Sequence, residues 1–193
     1  MTPAHGSSGL FRRPQPIKPK AGQESVWDYP RPPRVEPRSE RVIVRLGGQV
    51  IADTTDSVRV LETSHPPVYY LPLDSFLAGA LVPVDGTSFC EFKGEARYFD
   101  VVAGGVIVPR AGWTYPEPTR GFEALSTRVA LYPGLMDACE VNGEQVTPRV
   151  VTFMAAGSPR ILWVLSRAAR ALPGGENIDC ALLQDLFPRW GWR

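Results

Sequence analysis

The sequence predicts a mainly β domain with one or two short helices. Three observations before Arg149 predict it. The apolar runs are short and are broken by glycine and proline, which number 18 and 20 in the chain. Two turn dipeptides, Gly47-Gly48 and Asn142-Gly143, stand between strand-like runs. Modest helical spacing of apolar residues occurs only in Leu71–Leu81.

Each element follows in order. Residues 1–38 hold eight prolines and seven lysines or arginines among scattered apolar side chains. Such a segment buries too little to offset the entropy of ordering it, so it reads as a flexible proline-rich arm. Trp27 and Tyr29, in VWDYPRPP, are large enough to fold back and dock. The β-domain spans 39–150. RVIVRL and QVIAD flank Gly47-Gly48, whose glycines adopt the positive φ angles a tight hairpin needs. VRVLE and VYYLP follow, then the helical Leu71–Leu81, then SFCEF, ARYFDVV, GVIVP, TRVALY and CEVNGEQV. Asn142-Gly143 in the last run is the strongest short hairpin signal in the chain. After Val150 the texture changes, and 151–193 forms an atypical tail.

Charge and cysteine usage exclude several classes. Lysine plus arginine (21) nearly cancels aspartate plus glutamate (20), so no overall field draws the chain to nucleic acid or an anionic membrane. Cys90, Cys139 and Cys180 are odd in number and contain no C-x-x-C, and the histidines are only His5 and His65. This argues against a disulfide framework or a zinc site and fits a reducing cytoplasm. No apolar run reaches membrane-spanning length, and prolines stand where a signal peptide needs an apolar core. The expectation is a cytoplasmic chain with no cofactor, no nucleic-acid or membrane partner, an unidentified small molecule as ligand, and an oligomeric state the sequence leaves open.

ESVWDYPRPPR (24–34), ETSHPPVYYLP (62–72), SFCEFKGEARYFDVV (88–102) and AGWTYPEP (111–118) together resemble a bacterial and fungal domain-of-unknown-function family, number four-two-seven, often labelled nucleotidyltransferase-like. The resemblance covers about residues 24–149. It implies compact coiled antiparallel sheets similar to the β-tent architecture, metal-free because paired C-x-x-C ligands are missing, with a cleft where the sheets meet. The residues do not support the label. Nucleotidyl transfer needs a phosphate-cradling glycine loop and paired carboxylates for magnesium, yet GGQV and AGGV open no helix and Asp53 and Asp56 sit at a turn.

The family's closing segment, of the type D-F-Y-G-G-W-I-T followed by I-V-G-P-F-K-G-G-P-G, is missing from the tail. Rebuilding each codon of Val151–Leu172 from the last base of one residue and the first two of the next permits D-F-Y-G-G-W-I-T-P-D-I-V-G-P-F-K-G-G-P-G-T. Two of those glycines are compulsory, from Met154 before Ala155 and from Trp163 before Val164. The expectation is a one-base slip near Pro148–Val151 and a poorly packed tail. A diverged tail with amphipathic helices at Ile161–Leu172 and Asn177–Leu186 is the alternative.

The candidate chemistry lies between Arg59 and Tyr115. Tyr70, Tyr98 and Trp113 offer ring faces for a planar or cationic ligand, oriented by Arg59, Glu62 or Lys93. Tyr69 and Tyr70 point to opposite faces of a strand, so one belongs in the core and the other in a cleft. His65, Cys90 and Lys93 are candidates for catalysis, a thiolate needing a nearby cation or base and a histidine needing an orienting carboxylate such as Glu62. A small buried cysteine and a turn histidine are the plainer readings. Three functions follow: a small-molecule-binding β-domain with an aromatic cleft, an enzyme acting through Cys90, Lys93 or His65, or an interaction module whose arm docks on a partner.

Overall fold

The computed structural model of the chain describes residues 24–147 except Ser64, together with 149–151 and 160–162. Most of the arm and most of the tail, with the expected frame slip and the helix at Asn177–Leu186, lie outside the described residues; of the helix expected at Ile161–Leu172, Ile161 and Leu162 are described and form part of a strand. The described residues form thirteen strands: β1 (Arg34–Arg38), β2 (Val42–Leu46), β3 (Gln49–Thr54), β4 (Ser57–Leu61), β5 (Val68–Pro72), β6 (Leu81–Cys90), β7 (Gly94–Ala103), β8 (Val106–Thr114), β9 (Arg128–Leu131), β10 (Ala138–Val141), β11 (Glu144–Gln145), β12 (Arg149–Val151) and β13 (Arg160–Leu162). A seven-stranded sheet has the order β1-β4-β5-β9-β8-β7-β6 and a four-stranded sheet the order β11-β10-β2-β3, with β12 and β13 as a separate hairpin. Every pairing is antiparallel. The fold is mainly β, as its sequence predicts.

Both turn signals form hairpins. Gly47 and Gly48 join β2 to β3 with φ of 57° and 72°, and Asn142 and Gly143 join β10 to β11 with φ of 50° and 73°. Gly47 has a further reason to be glycine. An added Cβ would stand 2.2 Å from the Ala103 carbonyl oxygen, and one on Gly104 would stand 2.0 Å from the Gly47 carbonyl oxygen. The β2–β3 and β7–β8 turns therefore abut backbone to backbone, locking one sheet to the other.

The first apolar cluster joins the sheets. Val42, Val44, Leu46, Ile51 and Cys139 from the smaller sheet pack with Tyr69, Leu71, Val101, Val129 and Leu131 from the larger. A second cluster lies on the other face of the larger sheet and includes Val58, Val60, Tyr70, Tyr98, Trp113, Tyr115, Phe122, Leu125 and Tyr132. Tyr69 and Tyr70 divide between the two clusters, as strand alternation requires.

Two expectations are corrected. Leu71–Leu81 is no helix of that length. Leu71 and Pro72 end β5, Leu73–Ser75 is a single 3-10 turn, and Phe76 bridges to Ala52. Proline at 72 and Gly79 at φ 81° oppose a continuous helix. The arm, expected to be flexible to residue 38, ends instead in β1, paired with β4 from Arg34↔Leu61 to Arg38↔Ser57. Pro37 is tolerated there because β1 is an edge strand. Among the described residues no helix is long and apolar enough to cross a membrane.

Candidate functional site

Strand register builds the site. One line of partners crosses all seven strands of the large sheet: Pro37, Val58, Tyr70, Ala130, Trp113, Tyr98 and Val84. Tyr70, Trp113 and Tyr98 therefore share one face, as the sequence expects of a common aromatic surface. That face is the one turned away from the smaller sheet; the space between the sheets is filled by the first cluster. Where the sequence places the aromatic residues in a cleft between sheets, the structure puts them on the outer face of one sheet, because the even-numbered side of β5 points outward.

Tyr70 is fully buried, and Trp113 and Tyr98 keep only 7% and 8% exposure. Trp113 Nε1 donates to the Tyr70 hydroxyl at 3.2 Å, and the rings meet edge to face at 82°. The Tyr132 ring is tilted against the indole at 36°, with the ring centroids 4.5 Å apart. Burial pushes the Tyr70 and Tyr115 phenols far above their usual range, so both stay protonated.

Arg110 fixes the Tyr98 end. Its guanidinium lies 4.0 Å above the Tyr98 ring, a cation–π contact, while the Tyr98 hydroxyl and Ser88 Oγ are 2.6 Å apart. Arg110 has φ 48°, in the left-handed region that side chains disfavour. Asp100 Oδ1 accepts its backbone N–H at 2.7 Å, and Arg110 Nη1 donates to the Asp85 carbonyl at 2.7 Å. These bonds stitch together the register shifts of β6 and β7, between Val84 and Thr87 and between Phe99 and Val101.

Charged groups gather at the other end. Glu62 lies between two cations, with Arg31 at 3.3 Å from Oε1 and Lys93 at 3.5 Å from Oε2. Arg31 also pairs with Glu91 and lies 4.9 Å above the Phe92 ring. Lys93 is buried at the tip of the β6–β7 hairpin. Thr119 holds that tip, its N–H donating to the Lys93 carbonyl at 3.2 Å and its hydroxyl to that of Phe92. Cys90 is partly buried against the aromatic cluster that includes Tyr115.

Two candidates stand apart. Arg59 is on the opposite face from Tyr70, aligned with Tyr69. It donates to both oxygens of Glu24 at 2.8 Å and to Glu36 at 2.9 Å. It therefore anchors the N-terminal segment and does not share the aromatic face. His65 belongs to the turn after β4, where its Nδ1 lies 3.0 Å from the Thr63 carbonyl oxygen and its backbone N–H donates to Glu62.

The structure thus brings together Glu62, Lys93, Tyr70, Tyr98 and Trp113, adds Cys90 beside Tyr115, and separates Arg59. Sequence reasoning missed Arg31, Glu91 and Arg110. The first two pair across sixty positions of sequence and leave no local signal; Arg110 follows a proline in an ordinary strand run. Among the described residues, no three of His, Cys, Asp and Glu are placed to hold a metal ion.

The family model described as Domain of unknown function (DUF427) matches residues 34–142, more than half of the chain. No curated protein matches the sequence.

Proposed function

Since the chain belongs to the family described as Domain of unknown function (DUF427), whose description names no activity, we propose from the site itself that it is a small-molecule-binding β-domain. The ligand rests a planar or apolar body against the Tyr98–Trp113 end of the second cluster and sets its polar groups toward Glu62 and Lys93. One observation carries this reading. The partner line across β5, β9, β8 and β7 sets three aromatic side chains on one face with only the Ala130 methyl among them. Lys93 supports it. Its buried ammonium has three N–H donors, and the Glu62 carboxylate stands at 3.5 Å, the outer limit of a hydrogen bond.

An enzymatic reading has narrower support, the placement of Cys90 against the aromatic cluster, three residues from Lys93. It needs a thiolate, which a nearby cation or base must stabilise.

Native mass spectrometry of the purified chain tests the proposal. Wild type and Cys90→Ser should retain the same added mass, while Tyr98→Leu and Lys93→Met, confirmed folded by circular dichroism, should lose it. No added mass in wild type, or equal retention by all four, would count against the binding reading. Turnover abolished by Cys90→Ser alone would favour the enzyme.

A further inference from the structure

We propose that residues 24–33 form a strap that closes over the Glu62–Lys93 pair and opens from its Arg31 end. As a gate it rests on the ligand site proposed above, whereas its motion is measurable with no ligand present.

The strap is tied at two places. At its start, Glu24 accepts from both terminal guanidinium nitrogens of Arg59, Nη1 and Nη2, and from the Tyr29 hydroxyl at 2.7 Å. The Arg59 side chain is only 8% exposed, and Tyr29 is buried. Releasing this end strips a buried guanidinium of one of its two carboxylates, a costly step.

At the far end, Thr63 donates its hydroxyl to the Tyr29 carbonyl at 2.5 Å and its N–H to the Pro30 carbonyl at 3.4 Å. Arg31 then reaches over to Glu62, Glu91 and the Phe92 ring. Of these, the pair with Glu91 is exposed, the Glu91 side chain by 60%, while Arg31 and Glu62 are partly buried at 26% and 18%. Exposed ion pairs are weak and are screened by salt, whereas buried ones are much less so. The two ends therefore differ in strength, since the buried Arg59 guanidinium holds Glu24 by two parallel bonds, although Glu24 itself is 45% exposed, whereas Arg31 makes single contacts to each carboxylate. Salt or loss of Arg31 frees the far end while Arg59 holds the start, and the group uncovered is Glu62 with its partner Lys93.

Lys93 supplies the readout, since the only other lysines are Lys18 and Lys20. The full chain is treated with the acetyl ester of N-hydroxysuccinimide, and acetylation of Lys93 is followed by peptide mass, with the urea-unfolded chain as reference. Arg31→Met and Glu91→Gln should each speed Lys93 acetylation, by roughly three- to tenfold for Arg31→Met, which loses two ion pairs and a cation–π contact. Added salt should speed wild type and leave Arg31→Met nearly unchanged. Exchange of the Thr63 amide hydrogen should quicken in parallel. Equal Lys93 rates in wild type and both variants, or no salt effect on wild type, would overturn the strap. So would Cys139 alkylation rising in step with Lys93, because Cys139 lies in the inter-sheet cluster and reports global opening. A strap that opens in a chain retaining no ligand would leave the gate standing and remove only what it guards.

Discussion

Trp113 donates its indole N–H to the Tyr70 hydroxyl at 3.2 Å, across a β9 position occupied by alanine. The bond joins two strands that are not neighbours in the sheet and fixes both rings edge to face. It makes the aromatic face a rigid platform rather than a set of independent side chains.

Trp113→Phe keeps an aromatic ring and deletes that donor, leaving a fully buried hydroxyl with one bond fewer. The expected loss is about 1–3 kcal/mol in urea unfolding. A loss below about 0.5 kcal/mol would show that the Tyr70 hydroxyl is satisfied without the indole.

Arg59 governs the acid limb of stability. Burial pushes the Glu24 and Glu36 carboxyls up, but the hydrogen bonds and charge of Arg59 outweigh it and hold both below their usual value of 4.5. A carboxylate with a depressed folded pKa adds stability that is complete above its unfolded pKa and is lost as pH falls through the folded one. Wild type should therefore lose stability steadily as pH drops below 4.5. Arg59→Met should be less stable at neutral pH and lose less over the same acid range. Parallel stability curves for the two proteins would show that Arg59 does not set these carboxyls.

The Gly47–Gly104 contact separates crowding from strain. Gly47→Ala must move the backbone of Ala103, whereas Gly48→Ala meets nothing within 4 Å and bears only its positive φ. Gly48→Ala should cost about 1–2 kcal/mol, and Gly47→Ala should exceed it by roughly 1–3 kcal/mol from overpacking. Equal melting temperatures would mean that the two turns give way without cost.

How far the sequence reveals this fold depends on the range of the interaction involved. The Gly47-Gly48 and Asn142-Gly143 hairpins are legible because a turn is written in adjacent residues. The split of Tyr69 from Tyr70 is legible because strand period is fixed. The strand β1 is not, since RVEPR reads as a solvated linker until Glu36 meets Arg59 across the sheet. Leu71–Leu81 shows helical spacing because Leu71 and Phe76 are both drawn into one core, from a strand end and an isolated bridge. Among the site residues, alternation alone places Tyr70 and Tyr98 on faces of their own strands. Register decides that the two faces are the same, and register comes from pairings dozens of residues apart. Arg59 shows the cost of proximity in sequence. It is three positions from Glu62 and on the other side of the sheet from Tyr70.

The most direct measurement of the central claim is amide chemical-shift mapping of the full-length chain against a library of small ring-bearing acids and amines. If the Tyr70–Trp113–Tyr98 face is a ligand site, the binders should shift the amides of Lys93, Gly94, Ala96, Tyr98 and Trp113 together, and Lys93→Met should weaken the acids selectively. Shifts confined to the smaller sheet around Val44 and Cys139, or scattered with no common face, would contradict it.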